Sequence, residues 1–391
     1  MKRKIEVGTA IFLIMACTIL ACLVTYTYVT SKMTTVFATF DKYSKLSQVD
    51  QIVASRYINE YHSDEALDGV ISAYVNSVDK YGKYMDANAF QLYRDRENGK
   101  SAGLGISVAY VPSTGFMKVV KVNKASSAYN VGVKPGDMIY KIDGKDVGTM
   151  SEAEASTRLN GKTGSSTVLS IYRGDETLEK EVLYSEYTTV TVTSELLDGK
   201  IGLIRFESFD KNTLKQFKRE YSSLEKDGAT SLIFDLRNND GGDLDSVCSV
   251  LDMILPKGTI VTTESKAGGK SDPVISDSSQ ISLPMCVLIN RNTYGAAELF
   301  AADIRDFGKG KLIGEVTAGK AVAQQIVPLG DQTAVYLSTQ KFFPTSGKSF
   351  EDVGVKPDVS VKMADSDLDN FYQLDKAEDV QLQQALAFFN K

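Results

Sequence analysis

Two short apolar runs, each closed by a turn and followed by a helical pattern, constrain this fold most. Ser231-Leu232-Ile233-Phe234-Asp235-Leu236 reads as a buried strand. It ends in Arg237-Asn238-Asn239-Asp240-Gly241-Gly242 and runs into a helix. Pro284 to Asn290 reads as a second such strand, followed by a turn and a helix from about Ala296 to Phe307. Ile201 to Phe206 adds a third strand, and Asp210 is expected to cap a helix running to Lys226. Strands and helices therefore alternate over residues 187–364, which predicts an α/β core.

The N-terminus has a different character. Met1-Lys2-Arg3-Lys4 is basic, and no charge occurs from Val7 to Ser31. That length suffices for a helix across a bilayer, which takes about 20 residues. Three positive residues before the run and only Lys32 just after it orient the N-terminus to the cytoplasm and the body outside. Residues 1–31 are therefore expected to be a transmembrane signal anchor in the cell membrane. A cleaved signal peptide calls for a shorter apolar region and a small-residue cleavage site. A lipoprotein-type site at Ile19-Leu20-Ala21-Cys22 fits poorly, because the apolar run continues past the cysteine. In the following segment, residues 32–98, Leu46, Val49, Ile52, Val53 and Tyr57 share one helical face. Leu67, Val70, Ile71, Tyr74, Val75 and Val78 share another. Both packing and dimerisation fit such faces.

Several function classes are excluded. A net charge of −6, with no basic run beyond the N-terminus, argues against nucleic acid as a partner. His62 is the only histidine and stands in a polar stretch, so histidine-based triads and histidine-rich metal sites are ruled out. No cofactor is implied. Cys248 and Cys286 lie in core-like segments, and nothing requires a disulfide between them.

Residues 99–186 form a separate pattern. Gly103-Leu104-Gly105-Ile106-Ser107-Val108 opens as a glycine-flanked strand, and Val119-Val120-Lys121-Val122 is another. Gly132-Val133-Lys134-Pro135-Gly136-Asp137 is turn chemistry, and Met138 to Ile142 is a strand closed by Asp143-Gly144. Ser151 and Glu154 make a capping box. The segment resembles a PDZ domain over its whole length. Gly103, Leu104, Gly105 and Ile106 stand where that family has its carboxylate-binding loop. The resemblance implies that protein or peptide C-termini are partners, held by converging backbone N–H groups and added-strand pairing. Leu104 and Ile106 are then expected to line the pocket for the last side chain.

Nearly everything after the anchor resembles the C-terminal processing peptidases, or tail-specific serine proteases. Asp79-Lys80-Tyr81-Gly82-Lys83-Tyr84-Met85 is similar to the motif before their PDZ domain. Asp235 to Gly242 is similar to their strand–loop signature, and Ala297-Glu298-Leu299-Phe300-Ala301 to the helix after their nucleophile. Gly314 to Lys320 carries their general-base lysine, Lys320, with Gln324 as its orienting glutamine. Gly354-Val355-Lys356-Pro357-Asp358 and Asp379-Val380-Gln381-Leu382 match their C-terminal portion, and residues 365–391 are expected to be a C-terminal helix. The resemblance implies a peptidase core with an inserted PDZ domain between helical N- and C-terminal segments. It also implies an oxyanion site at the N–H groups of Gly242, or Gly241, and Ala296.

The family's serine stands 25 residues before the lysine, and that position here is Gly295. Glycine also does not follow the lysine; Ala321 does. A neutral lysine amine activates a serine hydroxyl, and glycine offers none. Two readings follow. In one, the chain binds protein C-termini through its PDZ domain and is proteolytically impaired, with an active relative or a second copy as partner. In the other, it is a working peptidase whose nucleophile is a neighbouring hydroxyl such as Thr293.

Overall fold

The computed structural model describes residues 7–98, 100–266 and 268–389. It divides into two compact units, Met1–Tyr74 and Val75–Lys391.

The first unit is built on one 50-residue helix, Val7–Arg56, which carries both the uncharged run and the first amphipathic face. A second helix, Ser63–Val78, follows and enters the second unit. Among the described residues no helix is long and apolar enough to cross a membrane. The anchor expectation rests partly on side chains outside the described residues, those of 7–11, 13, 14 and 31.

The second unit is centred on a six-stranded sheet. Its order is Val192–Leu197, Ile201–Phe206, Ser231–Asp235, Met285–Ile289, Gly310–Gly314 and Val359–Ser360. The first pair is antiparallel and every later pair parallel. Strands Ser231–Asp235 and Met285–Ile289 are buried at every residue, as central strands of a covered parallel sheet must be. Helix Ala296–Asp306 is buried over its first nine residues. Its alanines at 296, 297, 301 and 302 let it lie close to the sheet, while Phe300 meets Phe206, Phe209 and Phe234. A second sheet joins Lys83–Met85, Ala334–Phe343, Gly258–Ser265 and Val274–Ser276, with Val322–Pro328 paired to Ala334–Phe343. A third, antiparallel sheet runs from Ile106–Val111 to Glu176–Leu183 around its own core of Val119, Ile139, Leu169 and Ile171. Ile106–Val111 is an edge strand of that sheet.

Two local expectations are corrected. The helix expected after Asp210 begins at Thr213. The Asp210 carboxylate instead accepts from Asn212 N–H at 2.8 Å and the Thr213 hydroxyl at 3.2 Å, closing the turn before the helix. Residues 365–391 are not one helix but a short helix at Asp365–Asp369, a 3-10 turn at Phe371–Gln373 and a helix at Val380–Phe389. The break has a cause. Asp379 caps the last helix by accepting from Leu382 N–H at 3.0 Å, and it also reaches the fully buried Arg237 at 2.7 Å.

That contact belongs to a buried charge network. Asp235 accepts from Arg205 and Arg237, and both guanidiniums stack on the Phe371 ring, at 5.0 and 4.8 Å. Burial pushes the Asp235 carboxyl up, but the two guanidiniums outweigh it and hold the group well below the usual carboxylate range. Its stabilisation is therefore present above about pH 4, the ordinary carboxylate pKa, and is lost only in stronger acid. Asp235→Asn leaves two arginines without their shared carboxylate. Urea unfolding at neutral pH should show a loss of about 3–5 kcal/mol. A loss under 1 kcal/mol would mean that the network does not hold the C-terminal segment.

Candidate active site

Three loops leave the carboxyl ends of adjacent parallel strands and converge, as ligand sites do in such sheets. They follow Ser231–Asp235, Met285–Ile289 and Gly310–Gly314. The first two are stitched together by paired asparagines. Asn238 N–H donates to Asn290 Oδ1 at 3.0 Å, and Asn290 Nδ2 donates back to Asn238 Oδ1 at 2.9 Å. Tyr294 N–H donates to the Asn239 carbonyl at 2.9 Å.

The second loop makes a sharp elbow into helix Ala296–Asp306 at Gly295. Its φ of 57° and ψ of −114° form a backbone conformation that L side chains rarely adopt and glycine takes freely. A Cβ added there meets only Lys320 Cδ, at 3.9 Å. A side chain at 295 is therefore opposed by backbone strain and not by lack of space. The strand-to-helix turn is sharp, with glycine at its tip.

Gly241 and Gly242 stand beside it. Gly241 packs against the elbow so closely that an added Cβ would lie 2.8 Å from the Tyr294 carbonyl. Gly241 N–H is taken by Asn239 Oδ1 at 2.8 Å. Among the described residues neither Gly242 N–H nor Ala296 N–H has a backbone acceptor. Gly242, Gly295, Ala296, Lys320 and Gln324 all line one cleft of about 650 Å³.

Lys320 and Gln324 come together from a loop and a strand. Lys320 Nζ donates to Gln324 Oε1, and Gln324 Nε2 donates to the Tyr81 carbonyl at 2.7 Å. The strand pairing shifts register between Ala323 and Gln324, a bulge of the kind that re-aims a side chain beside a site. The ammonium also lies over the Tyr81 and Tyr294 rings, at 5.1 and 5.5 Å. Burial pushes the Lys320 amine below the ordinary lysine range, and Lys83 adds to this. The charges of Asp79, Glu351 and Asp240 pull the other way. Ala321, the second departure, is fully buried, and its φ is not positive, so its methyl costs no backbone strain.

Other sequence candidates fare differently. Thr293 is fully buried. Its hydroxyl donates to the Leu236 carbonyl at 2.9 Å and accepts from Asn290 N–H at 3.0 Å. It is part of the turn's framework, which removes it as a substitute nucleophile. Leu104 is 3% exposed in the core of the third sheet, so it does not line a pocket as expected. Its carbonyl accepts from Ala128 N–H at 3.2 Å, and that of Gly105 from Asn123 N–H at 2.8 Å. Gly103 and Gly105 both have positive φ, and Ile106 is half-buried at the start of the edge strand.

The sequence reading missed Glu298 and the role of Tyr81. Glu298 is fully buried and accepts from the N–H groups of Gly295 (2.9 Å), Gly319 (2.7 Å) and Lys320 (2.8 Å) and from the Thr317 hydroxyl. Its signal was available, since it stands at the third helical position, where a capping-box carboxylate belongs. Tyr81 donates its hydroxyl to Glu351 Oε1 at 3.0 Å, and burial above all pushes that hydroxyl up to about 12.

Residues 200–361 match the model of peptidase family S41, and residues 102–183 match that of the PDZ domain. The carboxy-terminal processing protease CtpA of Bacillus subtilis is 31% identical over 327 residues, spanning 83% of this chain and 70% of that protein. The carboxy-terminal-processing protease of Bartonella bacilliformis is 30% identical, over 83% of this chain and 76% of that one. Among solved structures, the photosystem II D1 C-terminal processing protease is similar in fold. Its TM-score is 0.51 at 23% identity, over 83% of this chain and 88% of that one.

The half-buried Lys320 generates a prediction about stability. An amine whose folded pKa is depressed costs stability while it is charged, below that pKa, and the cost fades as pH rises through it. Lys320→Met should therefore raise the melting temperature at neutral pH, with the gain shrinking as the pH rises toward 11. A melting temperature that falls equally at every pH would show that the amine is not desolvated.

Proposed function

The chain belongs to peptidase family S41, and from that premise we propose a membrane-anchored, outward-facing member that binds protein C-termini without cutting them. One observation carries the proposal: the elbow holds glycine, and the nearest aliphatic hydroxyl in sequence, Thr293, is buried and committed to the Leu236 carbonyl. The base, its orienting glutamine and the oxyanion loop are all arranged for a reaction whose first bond has no atom to form it.

The binding half of the proposal rests on the PDZ domain. Its loop at Gly103-Leu104-Gly105-Ile106 leads into an edge strand, as added-strand recognition requires. Gly105, Ile106 and Ser107 line a second cleft of about 470 Å³. That cleft shares Thr189, Ser208 and Asp240 with the cleft at Gly295, so the two open onto common walls. The anchor proposal rests on the uncharged run of residues 7–31 and on the exposed apolar side chains along it, among them Phe12, Met15, Ile19, Leu20, Leu23 and Val24.

An assay on an unfolded protein substrate tests the catalytic half. Removing such a serine costs on the order of a million-fold in turnover, so the full chain in detergent should show no cleavage above background. Gly295→Ser should raise turnover at least about 100-fold. It should also lower stability by about 1–3 kcal/mol, the strain of a side chain at that φ. Wild-type cleavage abolished by Lys320→Ala would overturn the reading. The anchor is tested separately: the full chain should stay with membranes in alkaline carbonate and leave them only with detergent. Release by carbonate alone would refute it.

A further inference from the structure

The second cleft has a wall that the PDZ domain does not supply. Strand Ile106–Val111 is the edge of the third sheet, and its inner partner is Phe116–Val122. Burial alternates along the edge strand. Ile106 and Val108 pack on the PDZ core, and Ser107 and Ala109 are exposed on the other face. Lys121 pairs directly with Ser107 and so shares that outer face. Its ammonium forms an ion pair with Glu207 Oε2 at 2.7 Å and lies 5.6 Å from the centre of the Tyr372 ring. Glu207 follows core strand Ile201–Phe206, and its N–H donates to the Thr191 carbonyl at 2.8 Å. Tyr372 is held beside it by its neighbour Phe371, on whose ring Arg205 and Arg237 stack. Glu207 and Tyr372 thus line, from the core side, the same cleft that Gly105, Ile106 and Ser107 line from the PDZ side.

The Glu207 side chain is only 13% exposed, and its protein donors share one oxygen. The Lys121 ammonium and the Tyr372 hydroxyl, at 3.2 Å, both go to Oε2. Among the described residues no donor reaches Oε1. Asp240 lines the same cleft, so two carboxylates there outnumber one ammonium.

We propose that Glu207 is a specificity residue for the bound chain end and selects lysine or arginine at its penultimate position. The proposal rests on the reading above that the PDZ domain takes C-termini. A peptide added antiparallel to Ile106–Val111, with its carboxylate at the Gly103–Ile106 loop, puts its last residue beside Ile106 and its penultimate residue beside Ser107. Side chains directly opposite each other share a face. The last one therefore turns to the PDZ core, and the penultimate one to the face that carries Lys121 and Glu207. Only a long side chain spans from an added strand to the facing wall, and a cationic one makes a charge-assisted bond with Oε1. An acidic residue is the poorer match, because Lys121 already has its carboxylate.

Fluorescence anisotropy with the full chain in detergent tests this. The probes are peptides of about six residues, labelled at the N-terminus, with an apolar last residue. They carry arginine, alanine or glutamate at the penultimate position and no other charged side chain. The arginine peptide should bind at least about fivefold tighter than the alanine peptide, as one charge-assisted bond in a partly screened site provides. The glutamate peptide should bind no tighter than the alanine peptide. Glu207→Gln should abolish the arginine preference, and a cooperative melting transition shows whether that variant is folded. If it is not, Lys121→Met serves in its place: removing the competing cation should widen the arginine-to-alanine ratio, and a ratio that does not widen overturns the assignment. So does equal binding of all three peptides, or an arginine preference that survives Glu207→Gln. Tightest binding of the glutamate peptide, lost in Lys121→Met, would overturn it in favour of Lys121. The C-terminal amide of the alanine peptide separates this proposal from the reading beneath it. If acid and amide bind alike, or neither binds, carboxylate capture fails and the Glu207 assignment with it. If the acid alone binds and arginine brings no gain, the Glu207 assignment alone fails.

Discussion

The buried carboxylate of Glu298 holds this site together. It takes the N–H of the elbow glycine on one side and the N–H groups of Gly319 and Lys320 on the other. The Thr317 hydroxyl also donates to it, and Thr317 in turn accepts from Val355 N–H at 2.7 Å. One side chain therefore ties the Gly295 turn to the loop that carries Lys320. Burial pushes the Glu298 carboxyl up, and the four donors pull it back. Losing it strands three backbone donors, each costing about 1–3 kcal/mol if left unsatisfied in the interior.

The same logic explains why glycine at residue 295 suits its surroundings. Nothing in the framework hangs on residue 295's side chain. Its backbone conformation is imposed by the Glu298 contact, by Tyr294 N–H on the Asn239 carbonyl and by Thr293 on the Leu236 carbonyl. Glycine relaxes a conformation that would strain any other residue. Lys320 is the opposite case. Its amine is partly desolvated, a cost that the charges of Asp79, Glu351 and Asp240 only partly offset.

Much of this was legible in the sequence, for identifiable reasons. The strands Ser231–Asp235 and Met285–Ile289 announce themselves because a buried parallel strand must be apolar throughout. Lys320 and Gln324 were legible through their neighbours and the resemblance those neighbours carry, not through their spacing. The bulge at Ala323–Gln324 that aims the glutamine is a property of the pairing with Ala334–Phe343 and leaves no mark on either strand alone. Tyr81 reaches the site from 243 residues away in sequence, so no local pattern could announce its carbonyl as the glutamine's acceptor. Leu104 was misread because a leucine between two glycines looks like a pocket wall; its side chain instead completes the core beneath the loop. The C-terminal segment was misread because Asp379 is spent on Arg237 and on a helix cap, choices made by tertiary contacts.

The central claim is that no hydroxyl near the elbow is activated by Lys320. Intact-mass and peptide mass spectrometry after treatment with a fluorophosphonate measures this directly, because the reagent marks activated hydroxyls whatever the substrate preference. The account predicts no adduct on residues 293–295 in the wild type. An adduct on Thr293 or Tyr294 that vanishes in Lys320→Ala would contradict it.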